Sequence, residues 1–346
     1  MFLCSLCGLK KLCVEFFRHF THLYHMLAAI ITANPSPVTL AEMPLPQPKA
    51  GESLVRLAAS ALNHRDVWIT KGLYAGIRFP CILGSDGAGW VDDREVVIYP
   101  LFDWGDDPRV QSKQYRILGM PDNGTFAEFV AVPDQLIFPK PAHLPMEAAA
   151  ALPLAGLTAF RTLFTKGATT GKDRVLITGI GGGVALFALQ FALAAGAEVW
   201  VTSGSEEKIQ KAVALGAAGG ANYTRPGWEQ TLLQQSSGFD VIVDGAAGEG
   251  FSLLIKLSRP GGRIGVYGGT RGAIPNISPQ AIFYKQLSIF GSTMGTPEEF
   301  GQMLDFVSQH RLQPVIDRVF PLENAPDAFE RMEKGSQFGK IVLRNP

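Results

Sequence analysis

Cysteine is scarce in this chain, with four in 346 residues, and three of those (Cys4, Cys7 and Cys13) crowd the N-terminus. Only Cys81 is left for the body of the protein. That excludes a disulfide framework and points to a reducing compartment, the cytoplasm. Net charge is lacking too, because 31 Lys and Arg balance 31 Asp and Glu. With no basic field to neutralise phosphates, nucleic acid and membrane surfaces are excluded as main partners. No stretch is long and apolar enough to span a bilayer, and there are no repeats or low-complexity tracts. What is present is globular in balance, 47% apolar against 18% charged, at a length that calls for two hydrophobic cores.

Residues 1–25 differ from everything after them, being rich in Cys, Phe, Lys and His with no turn signals. Cys4 and Cys7 have a metal-like spacing, but Cys13, His22 and His25 complete no zinc pattern. Lys10 and Lys11 interrupt the apolar segment, so a signal peptide fits poorly. The segment reads as an N-terminal extension, with Met26 as the natural start of a folded unit.

From Met26 to about residue 150, short β-rich runs such as SLVRLAASAL, EVVIYPLF and TFAEFVAVP alternate with Gly, Pro and Asp turns, the pattern of an all-β domain. At Met146 the texture becomes helical over MEAAAALPLAGLTAFRTLF, with Pro145 suited to a first turn. Residues 151–294 then alternate strand and helix: RVLITG, VALFALQFALAAG, EVWVTS, EEKIQKAVALG, DVIVDGA, FSLLIKLSRPGG and RIGVYGG. Their continuous apolar strands fit a doubly wound parallel sheet with helices on both faces. Residues 295–346 return to the first domain.

The strand RVLITG runs into Gly179-Ile-Gly181-Gly182-Gly183-Val184-Ala185 and then a helix. Strand before, helix after and a second strand about 20 residues on are the setting that gives a glycine turn its meaning. Glycines admit a pyrophosphate to the backbone, and the helix N-terminus stabilises its charge. Ala185 is small enough for helix–strand packing. The second strand ends in Thr202, Ser203, Gly204 and Ser205 with Lys208 beyond, where a carboxylate would select a free ribose 2′-hydroxyl. Hydroxyls and a lysine favour a 2′-phosphate, so the cofactor is read as NADPH, with Glu206 and Glu207 assigned to the next helix. KGATTGKD fails as a P-loop in spacing and context.

The runs ALNHRDVWITKGLY, PCILGSDGAG, GTFAEFVAV, AAALPLAGLTAF, the glycine turn and the closing FGKIVL resemble the medium-chain dehydrogenase/reductase superfamily, in order, from Met26 to Pro346. The resemblance implies a GroES-like β-barrel catalytic domain, a Rossmann domain and a reaction cleft between them. Where zinc alcohol dehydrogenases carry their metal ligands, this chain has Asn63, Ser85-Asp86 and, approximately, Ala155, so no metal is expected. Asn63 with Asp66 resembles the quinone oxidoreductase branch. Asn63, a polar amide in an apolar strand, has the strongest functional case; Asp66 reads equally as a structural acceptor. The resemblance further implies that Tyr74 lines the pocket and Thr158 the nicotinamide end. It puts Lys208 and Tyr223 at the 2′-phosphate and Gly268, Gly269 and Thr270 near the carboxamide. A homodimer is the family expectation. The turn WVDDR is shorter than the family's usual loop.

These readings converge on zinc-independent hydride transfer from NADPH to a quinone or an α,β-unsaturated carbonyl, with Asn63 and Tyr74 as donors to the developing oxyanion. The competing readings are an NADPH-binding scaffold or sensor and a zinc alcohol dehydrogenase with atypical ligands.

Overall fold

The computed structural model describes residues 25–275 and 277–346. The extension read over residues 1–25, with Cys4, Cys7, Cys13 and His22, falls outside them except for His25. That residue opens the strand His25–Ile31, whose Ala28, Ala29 and Ile31 are fully buried.

Six parallel strands form one sheet: Arg174–Ile177, Glu198–Ser203, Gly219–Asn222, Phe239–Asp244, Ser258–Val266 and Ser288–Gly291. Across the sheet they lie third, second, first, fourth, fifth, sixth in chain order. The order reverses between Arg174–Ile177 and Phe239–Asp244, and a crevice opens at the carboxyl ends of such a pair. Both strands are apolar on both faces: Val175, Leu176, Ile177, Val241, Ile242 and Val243 are all fully buried. Each such side chain stabilises the fold by roughly 1.5–3 kcal/mol.

The other strands are mainly antiparallel. Glu52–Ala61 is their hub, pairing with Asp86–Val91, with Phe129–Pro133 along its first half and with Lys340–Arg344 at its end. A three-stranded sheet of Thr39–Pro44, His25–Ile31 and Cys81–Ile82 lies beside it, tied on by the bridge Ala28–Ala127. This is the GroES-like fold; among the described residues its strands do not close into one continuous barrel. The pairing of Lys340–Arg344 matters for function. Leu62 donates its N–H to the Ile341 carbonyl at 2.9 Å, so the end of the chain lies directly against Asn63.

Three local expectations are corrected. The helix expected to run through SRPGG stops at Leu257, and Ser258–Val266 is strand. Pro260 lacks an N–H, and Gly261 sits at φ +75°, so the helix cannot continue. The alanine-rich helix is two helices, Met146–Ala150 and Pro153–Phe160, because Pro153 restarts the helix at its first position. It continues as π-helical turns over Arg161–Lys166. Finally, Asn63 is not in a strand; it is the N-cap of the helix His64–Thr70. The strand Gly219–Asn222 and the helices Trp228–Ser236 and Pro279–Phe283 carry too weak a periodicity to be read from sequence.

Candidate active site

A cleft of about 470 Å³ opens at the reversal point of the parallel sheet, facing Asn63 and the start of the last strand. Asn63, two residues past the end of Glu52–Ala61, has extended backbone (φ −125°, ψ 155°) and caps the next helix. Its N–H donates to Asp66 Oδ2 at 2.8 Å, and the Asp66 N–H donates back to the Asn63 carbonyl at 2.9 Å. Asp66 is fully buried behind the cleft wall. Burial pushes its carboxyl up to about 6, opposed by the Arg65 guanidinium and the Asn63 N–H.

The Asn63 side chain is held at both ends. Nδ2 donates to Asp86 Oδ2 at 2.9 Å, and Oδ1 accepts from Lys340 Nζ at 2.7 Å. Lys340 also donates to Asp86 Oδ2 at 2.9 Å. The other Asp86 oxygen accepts the Leu154 N–H at 2.8 Å, at the opening of the helix Pro153–Phe160. Beside this cluster, Arg65 donates to Ser85 Oγ at 2.7 Å and lies 5.7 Å from the Tyr74 ring. Among the described residues its Nε and Nη2 meet no hydrogen-bond partner. Burial holds the neighbouring His64 below its ordinary value, aided by the charges of Lys340 and Lys208.

Opposite, the strand Arg174–Ile177 ends in the glycine turn. Gly179 and Gly181 adopt φ +64° and +124°, conformations that only glycine enters freely. Gly182 caps the helix Gly183–Ala194, leaving its first backbone N–H groups without intrahelical partners. A Cβ on Gly183 would lie 2.8 Å from Lys340 Cδ, so the helix start and the lysine stem are in direct contact. At the end of Glu198–Ser203, Ser203 is buried and Ser205 caps the helix Glu206–Ala214. Glu206 and Glu207 lie in that helix's first turn, as read from the sequence, and neither lines the cleft. Lys208 reaches across to the Gly335 carbonyl at 2.9 Å, and burial lowers its pKa. Among the described residues no Asp or Glu lines the cleft, whereas His64, Arg65, Lys208 and Lys340 do.

Two family profiles match the chain: "Alcohol dehydrogenase GroES-like domain" over residues 49–142 and "Zinc-binding dehydrogenase" over 183–309. A zinc-type alcohol dehydrogenase-like protein of Leptosphaeria maculans is 34% identical over 89% of this chain and 94% of its own length. The chain belongs to the medium-chain dehydrogenase/reductase superfamily. The quinone oxidoreductase of Mus musculus is 31% identical, covering 86% of this chain and 91% of the relative. Among solved structures of the superfamily, an NAD-dependent alcohol dehydrogenase superposes with a TM-score of 0.87 at 38% identity, over 92% of this chain and 99% of that one.

Within this superfamily fold, most residues singled out from sequence come together. Asn63, Tyr74, Thr158, Gly179, Gly182, Gly183, Val184, Ser203, Lys208, Tyr223, Gly268 and Thr270 all line one cleft. Asp66, Gly181 and Gly269 do not. Asp66 is behind the wall, and Gly181 is backed by the Lys208 stem, with its carbonyl accepting the Gly339 N–H. Lys340, Asp86 and Arg65 were not singled out as site residues. The signal for Lys340 is the one that marks Asn63: a polar group inside an apolar run, FGKIVL, which needs a buried partner.

Proposed function

We propose that this chain is an NADPH-dependent reductase of quinones or α,β-unsaturated carbonyls that works without a catalytic zinc. One observation carries the reading: the Asn63 amide and the glycine turn line opposite walls of the same cleft. NADPH suits these residues. Gly179, Gly182, Gly183 and Val184 offer backbone at a helix N-terminus to a pyrophosphate. Ser203, Lys208 and Tyr223 offer hydroxyls and a cation to a 2′-phosphate, and among the described residues no carboxylate lines the cleft to repel it. Arg271, 5.1 Å from the Tyr223 ring, adds a second cation there. The structural relative above is named for NAD, so the choice of NADPH rests on these side chains. When bound, the cofactor supplies a hydride.

Zinc suits the cleft poorly. Asn63 is an amide, Ala155 has no donor, and Asp86 is already paired with an ammonium. Among the described residues no three His, Cys, Asp or Glu side chains gather to hold an ion. Charge developing on a substrate oxygen would therefore fall to hydrogen-bond donors, the Asn63 amide first and Tyr74 second. Conjugated acceptors match such a site because they spread that charge over several atoms, while an unactivated ketone calls for a Lewis acid.

The test is oxidation of NADPH and NADH by chelator-treated protein with 1,4-benzoquinone and cyclohexenone. Turnover that prefers NADPH and survives chelation is the expected result. Tight NADPH binding with no turnover on either acceptor points instead to a scaffold or sensor. Stoichiometric zinc with chelator-sensitive activity would return the chain to the zinc-dependent class.

A further inference from the structure

We infer that Lys340 and Asp86 are positioning residues, which together lock the Asn63 carboxamide in the one orientation that leaves an N–H for the substrate. The inference rests on the reading of Asn63 as the oxyanion donor. A side-chain amide can usually rotate by half a turn and exchange its donor for its acceptor. Here it cannot do so without conflict. An ammonium only donates and a carboxylate only accepts, so Oδ1 must face Lys340 and Nδ2 must face Asp86. The flipped amide would set Nδ2 against the ammonium and Oδ1 against the carboxylate. Burial sharpens this choice, since Asn63 is 7% exposed, Lys340 3% and Asp86 fully enclosed.

Each locking group is itself fixed. Asp86 is pinned by the Leu154 N–H, and the Lys340 stem packs against Gly183. Lys340 and Asp86 balance each other's charge, so what the pair adds is direction. Nδ2 carries two protons and Asp86 takes one. The second is the amide's remaining donor, on a residue that lines the cleft. The lock also joins the two walls, because the Gly339 N–H bonds the Gly181 carbonyl at 3.1 Å one residue before Lys340.

Removing one partner alone leaves a buried unpaired charge and endangers the fold, so the decisive variant is the charge-neutral double, Lys340→Met with Asp86→Asn. It frees the amide to flip. The expected result is a fall in kcat with 1,4-benzoquinone of about 100-fold, the usual scale for a misplaced reacting group. KM for NADPH and the thermal midpoint should stay near the wild-type values, and Lys340→Arg, which still only donates, should retain much of the rate. A second readout is independent of turnover. In protein labelled with ¹⁵N-asparagine, the Asn63 side-chain pair, assigned by its loss in Asn63→Leu, should exchange slowly in the wild type and quickly in the double variant. Wild-type kcat in a folded double variant, or an amide equally restrained in both proteins, would overturn the inference. A locked amide in a wild-type protein that reduces no acceptor would instead remove the proposed function and leave the lock standing.

Discussion

Lys208 and Gly335, 127 residues apart, meet at the cleft through one hydrogen bond of 2.9 Å from ammonium to carbonyl. The lysine is half-buried, and burial lowers its pKa, so its charge is worth more here than on an open surface. On the proposed reading a 2′-phosphate takes over from the neutral carbonyl as its partner. A hydrogen bond to a charged group contributes about 1.5–3 kcal/mol. Lys208→Ala should therefore raise KM for NADPH by about 10- to 100-fold and leave KM for NADH nearly unchanged. Equal rises for both cofactors in steady-state assays would remove Lys208 from the phosphate site.

Asp66 predicts a pH dependence of stability with a definite sign. Its carboxyl is raised from the ordinary 3.8 to about 6, chiefly by burial. The native state therefore binds this proton more tightly than the unfolded chain does. The stabilisation is fully present below about pH 4 and is lost as pH rises through 6, amounting to about 3 kcal/mol. Asp66→Asn keeps an acceptor for the Asn63 N–H but cannot ionise. Denaturant titrations at intervals from pH 4 to 7 should show the variant gaining on the wild type as pH rises. A constant gap across that range would contradict the burial argument.

The parallel sheet was legible because a strand covered on both faces needs a continuous apolar run, and Val175–Ile177 and Val241–Val243 supply it without interruption. The glycine turn was legible for a related reason, since its chemistry lies within a few consecutive residues. The sequence marks Asn63 as a candidate site residue but sets it in a strand, because Ala61 and Leu62 extend the apolar run up to it. The competing signal was present: Asn63 followed three residues later by Asp66 is a helix-capping pattern. Lys340 is not legible in the sequence for a topological reason. Its partners Asn63 and Asp86 lie 277 and 254 residues away in sequence, and it takes the pairing of both the last strand and Asp86–Val91 with Glu52–Ala61 to bring them together.

Two glycines of the turn should fail in different ways when replaced by alanine. Gly179 has open space around a Cβ but sits at φ +64°, so Gly179→Ala costs about 1–2 kcal/mol of backbone strain. Because that open space belongs to the cleft, its other effect should be weaker binding of NADPH and NADH alike. Gly183 has no such backbone demand; its Cβ would meet Lys340 Cδ at 2.8 Å and Ala155 Cβ at 3.3 Å. Gly183→Ala should push on the lysine stem and lower kcat more than cofactor affinity. Fluorescence titration of NADPH beside steady-state kinetics separates the two, and identical profiles for both variants would refute the distinction.

Arg161 and Glu299 form a buried ion pair at 2.5 Å, with side chains 2% and 8% exposed. Arg161 also donates to the carbonyls of Pro108 at 2.7 Å and Arg109 at 3.1 Å, and its guanidinium lies 5.1 Å from the Trp104 ring. It thus ties a loop of the antiparallel region to the helices behind the parallel sheet. Glu299 has a second duty, accepting the Thr296 N–H at 2.7 Å where the helix Pro297–Gln309 begins. Breaking such a pair from one side strands a buried charge, so Arg161→Met should lose about 3–5 kcal/mol in urea denaturation. Adding Glu299→Gln removes the stranded charge and keeps an acceptor for the cap, and should recover much of that loss. The loop contacts are not restored by the second change, so trypsin should still cut more readily after Arg109 in the double variant than in the wild type. If the double variant were no more stable than Arg161→Met alone, the loss would belong to the loop contacts and not to the unpaired carboxylate.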